Sequence, residues 1–124
     1  MMMRANEPAS KYDGGKPAYD LIAPEFVEGA ATVLSYGAAK YAARNWEKGM
    51  SWGRCFAALM RHSWAWWRGE EHDPESGLHH LDHAACCLMF LRAYSARRVG
   101  TDDRARTQPA ASPDEPRLPL GFDT

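Results

Sequence analysis

Between Arg61 and His83 the chain reads RHSWAWWRGEEHDPESGLHHLDH, and these 23 residues hold all five histidines and five carboxylates. Imidazole and carboxylate together suit a divalent cation such as Mn²⁺, Mg²⁺ or Zn²⁺, and histidine shifts the preference toward the transition metals. The spacing is not HExxH and there is no paired-cysteine pattern, which argues against a zinc protease or a zinc finger. A single histidine on an apolar face is more often a hydrogen-bonded core residue than a ligand. Three that converge, with carboxylates nearby, bring the two readings level.

Convergence depends on the elements that carry them. A helix is expected over about 51–68, with Ser51 as N-cap and Gly69 as its stop. Trp52, Cys55, Phe56, Leu59, Ser63 and Trp66 share one side of it, with His62 on that inward face and Arg61 on its flank. Asp73-Pro74 reads as the start of the next helix, Asp73 capping it and Glu75 favoured in its first turn. That helix is expected to run to about Arg97, with His80 and His83 three apart on one face. So short a turn makes the two helices an antiparallel hairpin, with His62 opposite His83 and Ala84. Glu70, Asp73 and Glu75 then stand at its closed end. Trp64, Trp66 and Trp67 point in too many directions to share one core, so one or two should face a subunit or a ligand.

Upstream, Pro24 and Glu25 open a helix whose stripe of Phe26, Val27, Ala30, Val33, Leu34, Ala38 and Tyr41 ends near 41–43. Glu25 and Glu28 are spaced to share a metal, but the helix dipole alone accounts for glutamates there. Residues 44–51 form a connection turning at Gly49. In it, Trp46 beside Asn45 is either a plate for a purine or a cover for the end of the core. The loop KYDGGKPAYD at 11–20 is polar as loops are by default, and a strap across a ligand is the less favoured reading.

The chain of 124 residues is expected to be one all-α domain at 11–98, with a frayed start at 1–10. Residues 99–124 are expected to form a disordered tail, since four prolines fall in the last 24 residues without periodicity. Leu118, Leu120 and Phe122 offer the tail a way to dock on a neighbouring subunit. Three helices with an exposed aromatic face rarely stand alone, so the bundle is expected to be completed by homo-oligomerisation. A net charge of −1 gives no basic surplus for a nucleic-acid partner. Charges interrupt every apolar run well short of the ~20 residues of a membrane span. With no secretory core at the N-terminus and three cysteines in helical patterns, reduced thiols in a cytoplasm-like compartment are expected.

The pieces KYDGGKP at 11–17, YGAAKYAARNWEKG at 36–49, LMRHSWAWWRGE at 59–70 and DPESGLHHLDHAACCLMFL at 73–91 together resemble the phage and bacterial dATP/dGTP diphosphohydrolases. That family is related to the all-α MazG and HisE pyrophosphohydrolases. The resemblance covers about two-thirds of the chain. It implies hydrolysis of a purine deoxynucleoside triphosphate, dGTP and also dATP, to the monophosphate and pyrophosphate with Mg²⁺ or Mn²⁺. It also implies a role in supplying dGMP to a 2-aminoadenine pathway, while the oligomer is expected to be a dimer or tetramer in the cytoplasm, the host's if phage-encoded. MazG and HisE relatives carry ExxE and ExxD, whereas the corresponding positions here include Arg61, His62, Ala65, His80 and His83. Either histidines replace part of that set or the carboxylates come from Glu70, Glu75 or the first helix, and the metal candidates are His62, Glu70, Glu75, His80 and His83. Lys40 and Arg61, with Lys16 from the loop, are expected on phosphate, Asn45 and Trp46 on the base, and Glu70 or Glu75 on the attacking water. The competing readings are an HD-type phosphohydrolase, from the dinucleotide His72-Asp73, and a non-catalytic metal- or nucleotide-binding helical module.

Overall fold

A computed structural model describes residues 6–106. Among them lie three α-helices and no sheet: α1 at Pro24–Lys40, α2 at Trp52–Trp67 and α3 at His80–Arg97. The all-α expectation holds. Short 3-10 turns at Tyr19–Leu21 and Asn45–Lys48 precede α1 and α2. The first helix begins where Pro24 predicts it, with acidic Glu25 in its first turn. The expectations on residues 1–5 and on Leu118, Leu120 and Phe122 lie outside the described residues.

α3 is the middle helix, packing against both α2 and α1. Small thiols let the helices approach: Cys55 Sγ donates to the Cys87 carbonyl at 3.4 Å, and Cys86 Sγ to the Ala30 carbonyl at 3.3 Å. Gly29 serves the same end, because a β-carbon there would run into the Asp82 carboxylate. Val33, Cys55, Ala84, Cys86 and Tyr94 form the buried apolar core, with His80 buried among them.

The hairpin forms, but its second helix starts later than the sequence suggests. Residues 74–76 are a turn and α3 opens only at His80. Asp73 caps that turn instead of a helix. One carboxylate oxygen accepts from the Glu75 amide and the other from the Ser76 hydroxyl, each at 3.2 Å, while the Asp73 carbonyl accepts from the Gly77 amide. Asp and Ser offer the backbone such local partners in competition with a helix. Gly77, at φ +75°, then takes a left-handed conformation that a side chain resists. His79 becomes the N-cap of α3, its Nδ1 accepting from the Leu81 amide at 3.0 Å.

A second correction concerns the start of α2. Ser51 has the extended conformation of an N-cap but makes no side-chain cap bond. Asp103 supplies it, its carboxylate accepting from the Gly53 amide at 2.7 Å. Thr101 pairs with Ser51, and Trp52 Nε1 donates to the Val99 carbonyl at 2.9 Å. Residues 99–103, assigned to the tail by composition, thus clasp the start of α2. Asp103→Ala is expected to destabilise the fold by about 1 kcal/mol, as for other lost caps. Urea unfolding checks this, and an unchanged midpoint would show that solvent replaces the cap.

Candidate functional site

The hairpin brings His62, His80 and His83 together. His62 Nδ1 lies 2.9 Å from His80 Nδ1, and the rings of His62 and His83 stack at 4.5 Å with 6° between planes. Helical spacing set this up: His62 is on the inward face of α2, while His80 and His83 lie one turn apart on α3. His80 Nε2 meets Glu70 at 2.7 Å, just beyond the end of α2. Glu70 reaches it because Gly69, at φ +103°, turns the chain back.

These contacts order the protons. A carboxylate accepts, so a neutral His80 donates from Nε2 to Glu70 and keeps a lone pair on Nδ1. His62 must then donate from Nδ1, which leaves its Nε2 bare. His83 Nε2 sits 2.7 Å from the Ser76 hydroxyl, itself 3.2 Å from Asp73. Burial pushes the His62 imidazole below its ordinary value, and neighbouring His83 and His80 push it further. Burial lowers His83 too, against the pull of Asp73. Burial alone would raise Asp73, but hydrogen bonds from the Glu75 amide and the Ser76 hydroxyl, with the nearby imidazoles, hold it below the usual carboxylate range.

Those shifts carry a pH dependence. Imidazoles of an unfolded chain titrate near ~6.5, so below that pH the unfolded state binds protons that His62 and His83 resist in the fold. The unfolded state then gains and stability falls with acidification through the imidazole range. The Asp73 contribution goes at lower pH, where its carboxyl protonates. The urea midpoint is expected to decline from pH 7 to pH 5, and a flat profile would mean that the fold takes up protons at His62 and His83 as readily as the unfolded chain does.

Beside the histidines opens a cavity of about 690 Å³. Its walls come from the second half of α1, residues 44–46, Met50 and one side of the hairpin. Tyr36, Lys40, His62, Asp73, Glu75 and His83 line a polar part, and Leu34, Met50, Met89 and Phe90 an apolar part. Lys40 reaches Glu75 at 3.3 Å, and this pairing, with Tyr41, raises the lysine pKa.

Of the residues singled out by sequence, Lys40, Asn45, Trp46, His62, Glu75 and His83 line this cavity, while Lys16, Arg61, Glu70 and His80 do not. Glu70 touches the site only through His80. Trp46 stacks on Phe90 at 4.8 Å, and the Arg97 guanidinium lies 5.5 Å from its ring centre. Its carbonyl accepts from the Tyr94 hydroxyl at 2.5 Å. Of its two readings, the packing role is the one displayed. Tyr36 and Ser76 were missed. Tyr36 stands four residues before Lys40, a spacing that puts both on one face of α1. The pair His72-Asp73 is split, the His72 ring meeting His79 and Asp73 closing its own turn.

A divalent cation needs several lone pairs aimed at one point. Here the donor atoms of His62 and His80 face each other, His80 Nε2 faces Glu70, His83 Nε2 faces Ser76, and Glu75 faces Lys40. Parallel rings of His62 and His83 do not aim at a common centre. Among the described residues no group of three or more His, Cys, Asp or Glu side chains is gathered to hold a metal. In this arrangement His62, Glu70, Glu75, His80 and His83 do not fit around one cation.

Comparison with known proteins bears on this site. A protein of Salmonella phage PMBT28, named dATP/dGTP diphosphohydrolase, is 42% identical over 94 residues, 76% of this chain and 32% of the phage protein. The chain thus spans about a third of the length of that relative. No solved structure matches. The family model for the N-terminal part of dATP/dGTP diphosphohydrolases matches residues 6–104, and the chain belongs to that family.

Proposed function

We propose that the cavity binds a purine deoxynucleoside triphosphate, dGTP or dATP, and hydrolyses it to the monophosphate and pyrophosphate. The observation that carries this reading is the two-part lining of the cavity in a chain of this family. Lys40, beside imidazoles and carboxylates, suits the anionic half of a nucleotide, while Leu34, Met50, Met89 and Phe90 suit its planar base. Its volume of about 690 Å³ falls within the ~300–1,000 Å³ usual for small-molecule sites.

In this proposal Lys40 leaves Glu75 for the phosphates, and Asn45 reads the base edge. Freed from Lys40, Glu75 orients a water at the α–β anhydride. The water oxygen bonds to phosphorus, pyrophosphate leaves with the bridging oxygen, and the water proton passes to the bare Nε2 of His62. The imidazolium so formed keeps its Nδ1 proton on His80, which Glu70 holds in place, a support comparable to the third member of a hydrolytic triad. Glu70 is thus a positioning residue. Arg61 and Lys16, outside the cavity, receive no role.

Mg²⁺ or Mn²⁺ belongs to the proposal as countercharge to the triphosphate, because Lys40 alone falls short of its charge and Arg44 in the cavity wall is paired with Glu47 at 3.2 Å. Homo-oligomeric assembly, work in the cytoplasm and supply of dGMP to a 2-aminoadenine pathway complete the reading. Three free cysteines support the compartment, and among the described residues no helix is long and apolar enough to cross a membrane.

A panel of the four deoxynucleoside triphosphates with Mn²⁺ tests the assignment, with kcat/KM measured for each. Preference for dGTP and dATP over dCTP and dTTP is expected. Equal rates for purines and pyrimidines would remove the base-reading role of the cavity.

A further inference from the structure

Tyr36 lines the cavity but has no part in the proposed chemistry. Its place on α1 defines what it meets. Among the α1 residues of the wall, Leu34 belongs to the apolar part and Lys40 to the polar part. At 1.5 Å of rise per residue, Tyr36 stands about 3 Å beyond Leu34 and about 6 Å short of Lys40 along the helix axis. The ring is braced from the polar side. It meets the His83 imidazole at 90°, with centroids 6.3 Å apart, and the Lys40 ammonium lies 6.0 Å from its centroid. Contacts of these two kinds hold an aromatic ring in place. Tyr36 is half-buried, and its hydroxyl has no hydrogen-bond partner among the described residues. A fixed ring thus stands at the seam between the two parts of the cavity.

From this placement we infer that the ring of Tyr36 is the sugar wall of the site and selects deoxyribose over ribose. The inference rests on the nucleotide reading of the cavity and deepens it. With the phosphates at Lys40 and the base against Leu34, Met50, Met89 and Phe90, the pentose is the part of the nucleotide that spans the seam.

The two sugars differ at one carbon. Deoxyribose brings a methylene at C2′, which an aromatic ring covers without loss. Ribose brings a hydroxyl there, and ring carbons strip it of its hydrogen bonds to water. Gly37 and Ala38, next along α1 in the same wall, have no polar side chain to replace them. The effect has a ceiling. An apolar wall rejects an added hydroxyl by no more than about a hundredfold, so the selectivity expected of Tyr36 is about ten- to a hundredfold.

The test uses the full chain and calorimetric titration with the α,β-methylene analogues of dGTP and GTP, which cannot be cleaved, in Mn²⁺. The native protein should bind the deoxy analogue about ten- to a hundredfold more tightly. Tyr36→Ala should abolish that preference by admitting the ribose analogue. Tyr36→Phe keeps the ring, drops the hydroxyl and should retain the preference. Alanine suits a helix, and if that variant fails to fold, Tyr36→Ser removes the same ring and should also abolish the preference. A merely structural Tyr36 would weaken both analogues alike, so a native ratio in the folded Ala or Ser variant overturns the inference. Equal affinities in the native chain, or a preference lost in Tyr36→Phe, overturn it as well. Pyrophosphate release from dGTP, measured in parallel, separates the two readings. Selective binding without release sinks the chemistry alone, and release with equal affinities sinks the sugar wall alone. Binding of neither analogue sinks both.

Discussion

His62→Ala is expected to lower dGTP turnover by about two orders of magnitude or more, the usual effect of removing a general base. Its fold should persist, because His62 is only part-buried and its hydrogen bond is to another side chain. The effect should fall mainly on kcat. A base acts in the transition state, while Lys40 and the apolar wall still bind the substrate. Two companion variants trace the proton order. His80→Ala removes the acceptor of the His62 Nδ1 proton, and Glu70→Gln leaves His80 in place but weakens its anchor. Both should lower kcat less than His62→Ala, and both should shift the acidic limb of the pH–rate profile. Full activity in folded His62→Ala would move the base role to Glu75, the nearest carboxylate in the cavity wall.

Lys40→Ala is expected to raise KM for dGTP by about ten- to a hundredfold, the size of a hydrogen bond to a charged group, ~1.5–3 kcal/mol. Lys40 stands at the last turn of α1, beside Glu75 across the cavity. Both partners are exposed enough for solvent to screen their pairing, so the ion pair itself adds little stability. Its consequence is for binding: the ammonium stands at the polar part of the cavity, and a triphosphate competes with Glu75 for it. Steady-state kinetics with dGTP and pyrophosphate detection reads the change. A variant with native KM but depressed kcat would show that Lys40 acts on the transition state and not on the bound substrate.

Helical periodicity carried most of the fold. Pro24 marked the start of α1, Gly69 the end of α2, and the spacing of His62 against His80 and His83 brought the imidazoles together across the hairpin. The segment from Asp73 to His79 did not follow, because Asp-Pro-Glu is also a good opening for an Asx-type turn. What decided between helix and turn was Gly77 adopting φ +75°, a conformation that sequence spacing does not reveal. The cap of α2 was hidden for another reason. Asp103 is fifty residues from Gly53 in sequence, and only the packed chain brings its carboxylate to that amide.

The site was legible where it depended on one helix face and obscure where it depended on two elements meeting. Tyr36, Lys40 and Glu75 share a cavity because α1 crosses in front of the turn at 73–79, a contact between segments thirty-five residues apart. Arg61, expected on the flank of α2, does not line the cavity. Trp46 drew attention as a loose aromatic in a loop, yet Phe90 stacks on it and Tyr94 holds its carbonyl. One or two of Trp64, Trp66 and Trp67 were expected to lie outside the core, and Trp64 and Trp67 are exposed.

The central claim is cleavage at the α–β anhydride, and phosphorus NMR of a single reaction tests it most directly. With dGTP and Mg²⁺, the three triphosphate resonances should give way to one monophosphate signal and one pyrophosphate signal in equal molar amounts. Inorganic triphosphate with free nucleoside would instead indicate HD-type chemistry, and dGTP that is bound but unchanged would leave a binding module. Either outcome would contradict the account.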